Sequence, residues 1–354
     1  MDEYQKKLDA LFAVVLSENA SDLHISEGKP PMIRVTGFLV PLVKYPPITK
    51  EDAMGLLSVL ITKEEQEKLK VRRDVDFSYT YQEKARFRGN AFYQQEMISI
   101  ALRHIPKHVR TLAELNLPSI LEELAARQQG FFLVVGPVGH GKTTTLAAMI
   151  EVINQTRSEH IVTIENPIEY IYEAKKSIID QREIGTDTAD FKSGLNAAFR
   201  QDVDVILIGE MRNPETISAA VTAAETGHLV FSTLHTNNAA QTIDRIIDSF
   251  PSQQQPQIRA QLAGSMSGIF SQRLIPRISG GMVPTYELLI NTAAVANLIR
   301  EKRTHEIPTM IETGTEHGMI DMNRSLAELV RSGEITIENA RAFSPNPSIL
   351  DKFI

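Results

Sequence analysis

The residues Gly136-Pro137-Val138-Gly139-His140-Gly141-Lys142-Thr143 match G-x-x-x-x-G-K-[ST] in full, directly after the apolar run Phe131 to Val135. A buried strand that enters a glycine-rich turn and leaves into a helix, here Thr144 to Ile153, is the setting in which this pattern holds phosphate. Glycine lets the backbone curl until its N–H groups point inward, and the following helix turns the positive end of its dipole on the same anion. In such a cradle Lys142 reaches the β- and γ-phosphates, the Thr143 hydroxyl sits on Mg²⁺, and Thr144 completes the nucleotide-binding set. A chance glycine-rich turn is the alternative, and the flanking strand and helix weigh against it.

Holding a triphosphate is not hydrolysing it; hydrolysis needs an acid that orients water. Val203-Asp204-Val205-Ile206-Leu207-Ile208-Gly209-Glu210 reads as a buried central strand with Glu210 at its C-terminal end, where α/β sheets place their ligands. Glu210 there would hold the attacking water and take its proton; the plainer reading is a carboxylate that caps the next turn. Glu165 ends another strand, in Thr163-Ile164-Glu165-Asn166-Pro167, and would reach the Mg²⁺ water shell, or else be structural. His235 lies just past a third strand, in Ser232-Thr233-Leu234-His235-Thr236-Asn237, placed either to donate to the γ-phosphate or to pack. Arginine forks neutralise a transferred phosphoryl group, and Arg86, Arg88 and Arg103 sit on strand-like segments, with Arg86 and Arg88 on one face. A solvated strand face is the competing reading for all three.

Positioning these groups takes more than one core. The chain has 354 residues, 42% hydrophobic and 23% charged, with a net charge of −7, which suits a folded protein of two or three domains and does not favour nucleic acid as a partner. The absence of cysteine excludes structural disulfides and cysteine-ligated metal. No apolar run is long enough to span a bilayer, so a cytoplasmic protein is expected, docked at most on a membrane complex. Leu8, Leu11, Phe12, Val15 and Leu16 form one face of an N-terminal helix. Two short strands (Ser21 to Ile25, Met32 to Thr36), two helices (Thr49 to Leu60, Thr62 to Lys70) and three antiparallel strands (Asp76 to Tyr81, Ala85 to Tyr93, Ile98 to Arg103) follow. Residues 1–104 thus read as a small α+β domain. Residues 105–118, bracketed by Ile105-Pro106 and Leu117-Pro118, read as an extended linker with a short helix inside it. Residues 119–354 alternate helices with strands at Phe131 to Val135, His160 to Ile164, Val203 to Ile208, Leu229 to Thr233 and Val283 to Ile290, which implies a parallel sheet covered on both faces. Residues 293–354 are helical by pattern.

These motifs together resemble the PilT-type family of secretion and type IV pilus ATPases, over essentially the whole chain. The phosphate loop, the aspartate box at 163–169, the acid-ended strand Val205 to Arg212 and the histidine box from Ser232 to Asn237 with Asp244-Arg245 all line up. So do the phrases Ala223-Ala224-Glu225-Thr226-Gly227-His228 and Ala20-Ser21-Asp22-Leu23-His24. The resemblance implies a PAS-like N-terminal domain, a RecA-like P-loop core and a homo-hexameric ring. It also implies ATP and Mg²⁺ between the domains, with arginines of the small domain closing over the nucleotide. The implied partner is the inner-membrane platform protein of the pilus machine, at the cytoplasmic face of that membrane; a second retraction ATPase joins it on the reading of the chain as an accessory ring. Hydrolysis would then shorten the pilus and drive twitching motility.

Extension and secretion ATPases of the wider family usually carry a further N-terminal domain and a four-cysteine zinc motif. The sequence shows neither, so the retraction branch is expected. Pilus extension or type II secretion, an accessory nucleotide-gated ring and a nucleic-acid translocase are the alternatives. Four departures from the family pattern stand out: His140 replaces Ser or Thr in the phosphate loop, Asn166 replaces the aspartate of its box, Ala296 takes an arginine position in the retraction marker Ala294 to Glu301, and Gln94 to Met97 lacks the usual glycine-rich turn. The first bears on nucleotide affinity or its pH dependence, and the last on the transfer of a role to Arg103.

Overall fold

Residues 2–35, 37–82, 84–105 and 109–354 are described by a computed structural model. They divide into two compact units, Met1–His108 with Glu169–Ile171, and Val109–Ile168 with Tyr172–Ile354.

The first unit opens with helix α1 (Asp2–Ser17), whose Leu8, Leu11, Phe12 and Val15 are buried while Leu16 is half-buried. Phe12 stacks on Phe87 with ring centroids 4.1 Å apart, which adds about 1 kcal/mol to the area each ring buries. Strands β1 (Asp22–Ser26), β2 (Met32–Val35) and β3 (Phe38–Pro41) follow, then helices α2 (Lys50–Leu60) and α3 (Lys63–Arg72), then β4 (Asp74–Tyr81), β5 (Ala85–Gln94) and β6 (Met97–Ile105). Both α2 and α3 start with full capping boxes, Thr49 with Asp52 and Thr62 with Glu65, so two orphan backbone donors are satisfied at each entry. Among the described residues the strands form one antiparallel sheet in the order β3-β2-β1-β6-β5-β4. Strand β3 was not anticipated: all four of its residues are exposed, so no period-two burial pattern marks it. Thr36, which the sequence places at the end of β2, lies outside the described residues.

The expected linker differs too. Pro106 lies outside the described residues, and Leu112 to Asn116 form a turn rather than a helix, with Thr111 and Glu114 bonded to each other. The first helix of the second unit, α4 (Ile120–Ala125), begins only after Pro118. Thereafter come β7 (Gly130–Val135), α5 (Lys142–Thr156), β8 (His160–Glu165), β9 (Ile178–Glu183), α6 (Phe191–Ala198), β10 (Val205–Ile208), α7 (Pro214–Glu225) and β11 (Leu229–Leu234). Helices α8 (Ala239–Asp248) and α9 (Gln255–Ser265) lead to β12 (Met266–Pro276) and β13 (Met282–Ile290). The chain closes with α10 (Ala293–Arg300), α11 (Ile307–Thr313), α12 (Met322–Arg331), α13 (Ile337–Phe343) and α14 (Pro347–Leu350), as the helical pattern implied.

Sheet order among the described residues is β13-β12-β7-β11-β10-β8-β9. Strands β7 to β12 run parallel, and β7, β10 and β11 are buried along their whole length. That double-sided burial is why their sequences read as unbroken apolar runs. Two expectations need correction. The segment Val283 to Ile290 belongs to an edge strand that pairs antiparallel with β12, not to the parallel set. Strand β12 itself was missed, because Ser267, Ser271 and Gln272 interrupt its apolar residues.

Candidate functional site

The ends of four adjacent parallel strands, β7, β11, β10 and β8, carry the groups singled out by sequence. Gly136 N donates to Leu234 O at 3.3 Å, Gly209 N to Ile164 O at 2.8 Å and Thr233 Oγ1 to Gly209 O at 2.7 Å, so backbone bonds fasten neighbouring strand ends to one another. Glu210 and His235 extend from the middle two of these ends, the phosphate loop leaves the first, and Glu165 closes the last.

The loop's curve requires glycine. Gly136 has φ 148°, and a Cβ there would lie 2.3 Å from the carbonyl oxygen of Gln272. Gly139 and Gly141 take left-handed φ values of 80° and 79°. Because Gly141 is the cap residue of α5 and brings no side chain, the first-turn N–H groups face outward for an anion. Pro137 and His140 are half-buried and Val138 is exposed on the loop, while Thr143 and Thr144 are half-buried at the start of α5. Lys142 is buried, and its amine donates to Gly136 O at 2.9 Å and Pro137 O at 2.8 Å.

His235 Nδ1 lies 3.2 Å from the Lys142 amine. Since an ammonium only donates, Nδ1 is the acceptor, which leaves the imidazole proton on Nε2, 3.8 Å from Glu210 Oε2. Burial, then the positive charge of Lys142, hold the pKa of His235 below its ordinary value, so the ring stays neutral near pH 7. Glu210 is also paired with Arg212 at 2.6 Å. Glu165 is buried and accepts a bond of 2.7 Å from Thr163 Oγ1. A hydroxyl on α5 and carboxylates at the strand ends are the hard oxygen donors that suit Mg²⁺.

The three arginines lie in the first unit. Arg88 on β5 stands directly opposite Arg103 on β6, which stands opposite Asp22 on β1, which in turn faces Arg34 on β2. Arg103 donates from Nε to Asp22 Oδ1 at 3.0 Å, and Arg34 Nε lies 3.7 Å from Asp22 Oδ2. Arg86 shares the face with Arg88, as their alternation with buried Ala85, Phe87 and Gly89 requires.

Residues 2–282 match the family described as type II/IV secretion system protein. The chain belongs to that family. It is 43% identical over 331 residues to the type IV pilus retraction ATPase PilT of Pseudomonas aeruginosa, with 94% of this chain and 96% of the relative covered. A twitching motility protein of Neisseria gonorrhoeae is 44% identical over 317 residues, covering 89% and 84%. The crystal structure of the pilus retraction motor PilT with bound ADP superposes with a TM-score of 0.91 at 44% identity, covering 97% of this chain and 98% of the other. The mixed α/β architecture is therefore that of the family, and the resemblance drawn from the motifs holds.

Against the family background the departures acquire a physical setting. Gln95 and Glu96, with φ of 47° and 65°, form the two-residue β5–β6 turn without any glycine, and Gln94 still pairs with Met97, which keeps Arg88 opposite Arg103. Ala296 is buried within α10, and Asn166 is exposed. Sequence reasoning missed Gln272. Its Oε1 accepts from Thr145 Oγ1 at 2.6 Å and its Nε2 donates to His140 O at 2.8 Å, across 127 and 132 residues of chain, a separation no local pattern signals.

Proposed function

We propose that this chain is an ATP hydrolase that powers retraction of a type IV pilus. The observation that carries the reading is the line of contacts Lys142–His235–Glu210 across adjacent strand ends beside the phosphate loop. Glu210 holds a water against the γ-phosphorus; the water oxygen bonds to phosphorus, the bond to the β,γ-bridging oxygen breaks, and Glu210 takes the proton, releasing ADP and phosphate. Lys142 swings its amine from the loop carbonyls onto the phosphates, and His235 presents Nε2–H to the γ-phosphoryl group. Thr143, and Glu165 through water, would hold Mg²⁺, which would supply charge neutralisation at the phosphate oxygens. Arg86, Arg88 and Arg103 are the cationic groups assigned to the transferred phosphoryl. The working particle is a homo-hexamer acting on the platform protein of the pilus machine at the cytoplasmic face of the inner membrane. The first unit is the PAS-like domain and the second the RecA-like motor domain of each subunit. No helix among the described residues is long and apolar enough to cross a membrane.

Glu210→Gln tests the chemistry. ATP affinity, measured by calorimetry, should stay within about threefold while turnover falls about 10³-fold, the size of a lost general base. Unchanged turnover removes Glu210 from the reaction. In cells, deleting the gene should leave excess pili that do not shorten; loss of pili would assign the motor to extension.

A further inference from the structure

His140 stands in the phosphate loop, yet its side chain bonds away from the loop. Its Nδ1 accepts the backbone N–H of Leu274 on β12 at 2.8 Å, and its own carbonyl accepts from the Gln272 side chain at 2.8 Å. Gln272 in turn accepts from Thr145, one turn into α5. Two neighbouring points on β12 therefore grip the loop at its fifth residue and the helix at its first turn. The close approach is tight on both flanks: besides the backbone contact at Gly136, a Cβ on Gly141 would lie 2.9 Å from Gln272 Nε2. An acceptor at Nδ1 requires a ring nitrogen without a proton. The charged groups that act on the ring are Arg273 from β12 and Lys142 from α5, both positive.

We propose that His140 and Gln272 are positioning residues for the nucleotide: together they latch the phosphate loop to β12, and the latch is closed only while His140 is neutral. The inference rests on the reading of this loop as the ATP site. A loop that is free to uncurl must be ordered by the ligand, so unlatching lowers affinity without removing any contact to phosphate. The sign of the pH effect follows from the acceptor role. Burial, then Arg273 and Lys142, hold the pKa of His140 below 6.5, so the Leu274 bond is intact at neutral pH and is lost as pH falls through that lowered value.

The experiment is MgATP binding to the full chain by calorimetry between about pH 5 and pH 8, for wild type, His140→Ala, His140→Asn and Gln272→Met. Asparagine offers an acceptor oxygen near the Nδ1 position and does not titrate, so it separates the latch from a general packing role. At pH 7.5 His140→Ala, which loses one partly buried hydrogen bond, should weaken binding about fivefold, Gln272→Met, which loses two, about tenfold, and the double variant, measured alongside, should lose less than the product of the two. His140→Asn should bind within about threefold of wild type at pH 7.5 and fall less than wild type on acidification. Protonation of ATP itself and of His235 affects both proteins alike, so the difference between their profiles is the reading. The latch is overturned if wild type binds MgATP but His140→Ala binds as well, or if wild type and His140→Asn have the same pH profile. If wild type fails to bind MgATP at any pH, the ATP-site reading falls instead.

Discussion

Lys142 is buried and held by the carbonyls of its own loop and by His235, whereas Arg103 is exposed over 69% of its side chain and is fixed through Nε to Asp22. Both regions carry positive charge suited to phosphate, but they hold it differently. The cradle is preorganised: three glycine φ values, the bonds to β12 and the strand-end ladder set its shape. The arginine face is a cross-strand row in which Arg88 and Arg103 stand opposite each other as like charges, and Asp22 between Arg103 and Arg34 offsets the repulsion. Under the function proposed above, phosphate binding belongs to the cradle and neutralisation of transition-state charge to the arginine face, where Arg103 is tied to the Asp22 carboxylate. Substitutions should separate the two roles.

The sharpest break is Lys142→Ala. It should reduce MgATP affinity at least about 100-fold and bring turnover to background, since removal of a desolvated charge partner costs several kcal/mol; calorimetry and phosphate release measure the two losses. If affinity survives, the cradle's preorganisation does not depend on its lysine. Next in size, Arg88→Ala and Arg103→Ala should each lower turnover about 10²-fold and leave affinity within about threefold, because a group that meets charge developing on the phosphoryl acts on kcat. An equal loss in affinity would show that these arginines bind ground-state nucleotide instead, erasing the proposed division. The smallest effect belongs to Asp22→Asn. Loss of the carboxylate frees the Arg103 guanidinium, and turnover should fall about fivefold, in line with about 1 kcal/mol for a charged contact with a largely exposed partner. Full activity in this variant would show that the anchor does not set the arginine's position.

Where sequence reading succeeded and failed follows from what buries each segment. The phosphate loop was legible because glycine, lysine and hydroxyl positions are fixed by backbone geometry within eight residues. The capping box of Thr62 with Glu65 and the buried face of α1 were legible for the same local reason. Strand β12 was not, since its Ser271 and Gln272 are buried polar groups satisfied by residues far away in the chain, and a polar residue in a strand ordinarily signals solvent. The edge strand β9, Ile-Ile-Asp-Gln-Arg-Glu, turns only Ile179 of its two apolar residues toward the core and fully buries only the polar Glu183, and the wholly exposed β3 has no buried face at all, so neither shows an apolar alternation. The antiparallel direction of β13 depends on a short Arg277 to Gly281 turn whose glycines, Gly280 and Gly281, have φ of 91° and 77°. The histidine at position 140 was visible as an oddity, but the Leu274 backbone that it meets was not.

Strand β12 has one further consequence. Consecutive residues on it serve different masters: Gln272 and Leu274 touch the nucleotide loop, whereas Arg273 donates to Phe343 O at 2.8 Å and Ile275 packs with Met322, Leu326 and Leu350. Because side chains alternate along a strand, the closing helices and the phosphate loop contact opposite faces of the same strand. A substitution that displaces the closing helices is therefore expected to reach the phosphate loop through this strand.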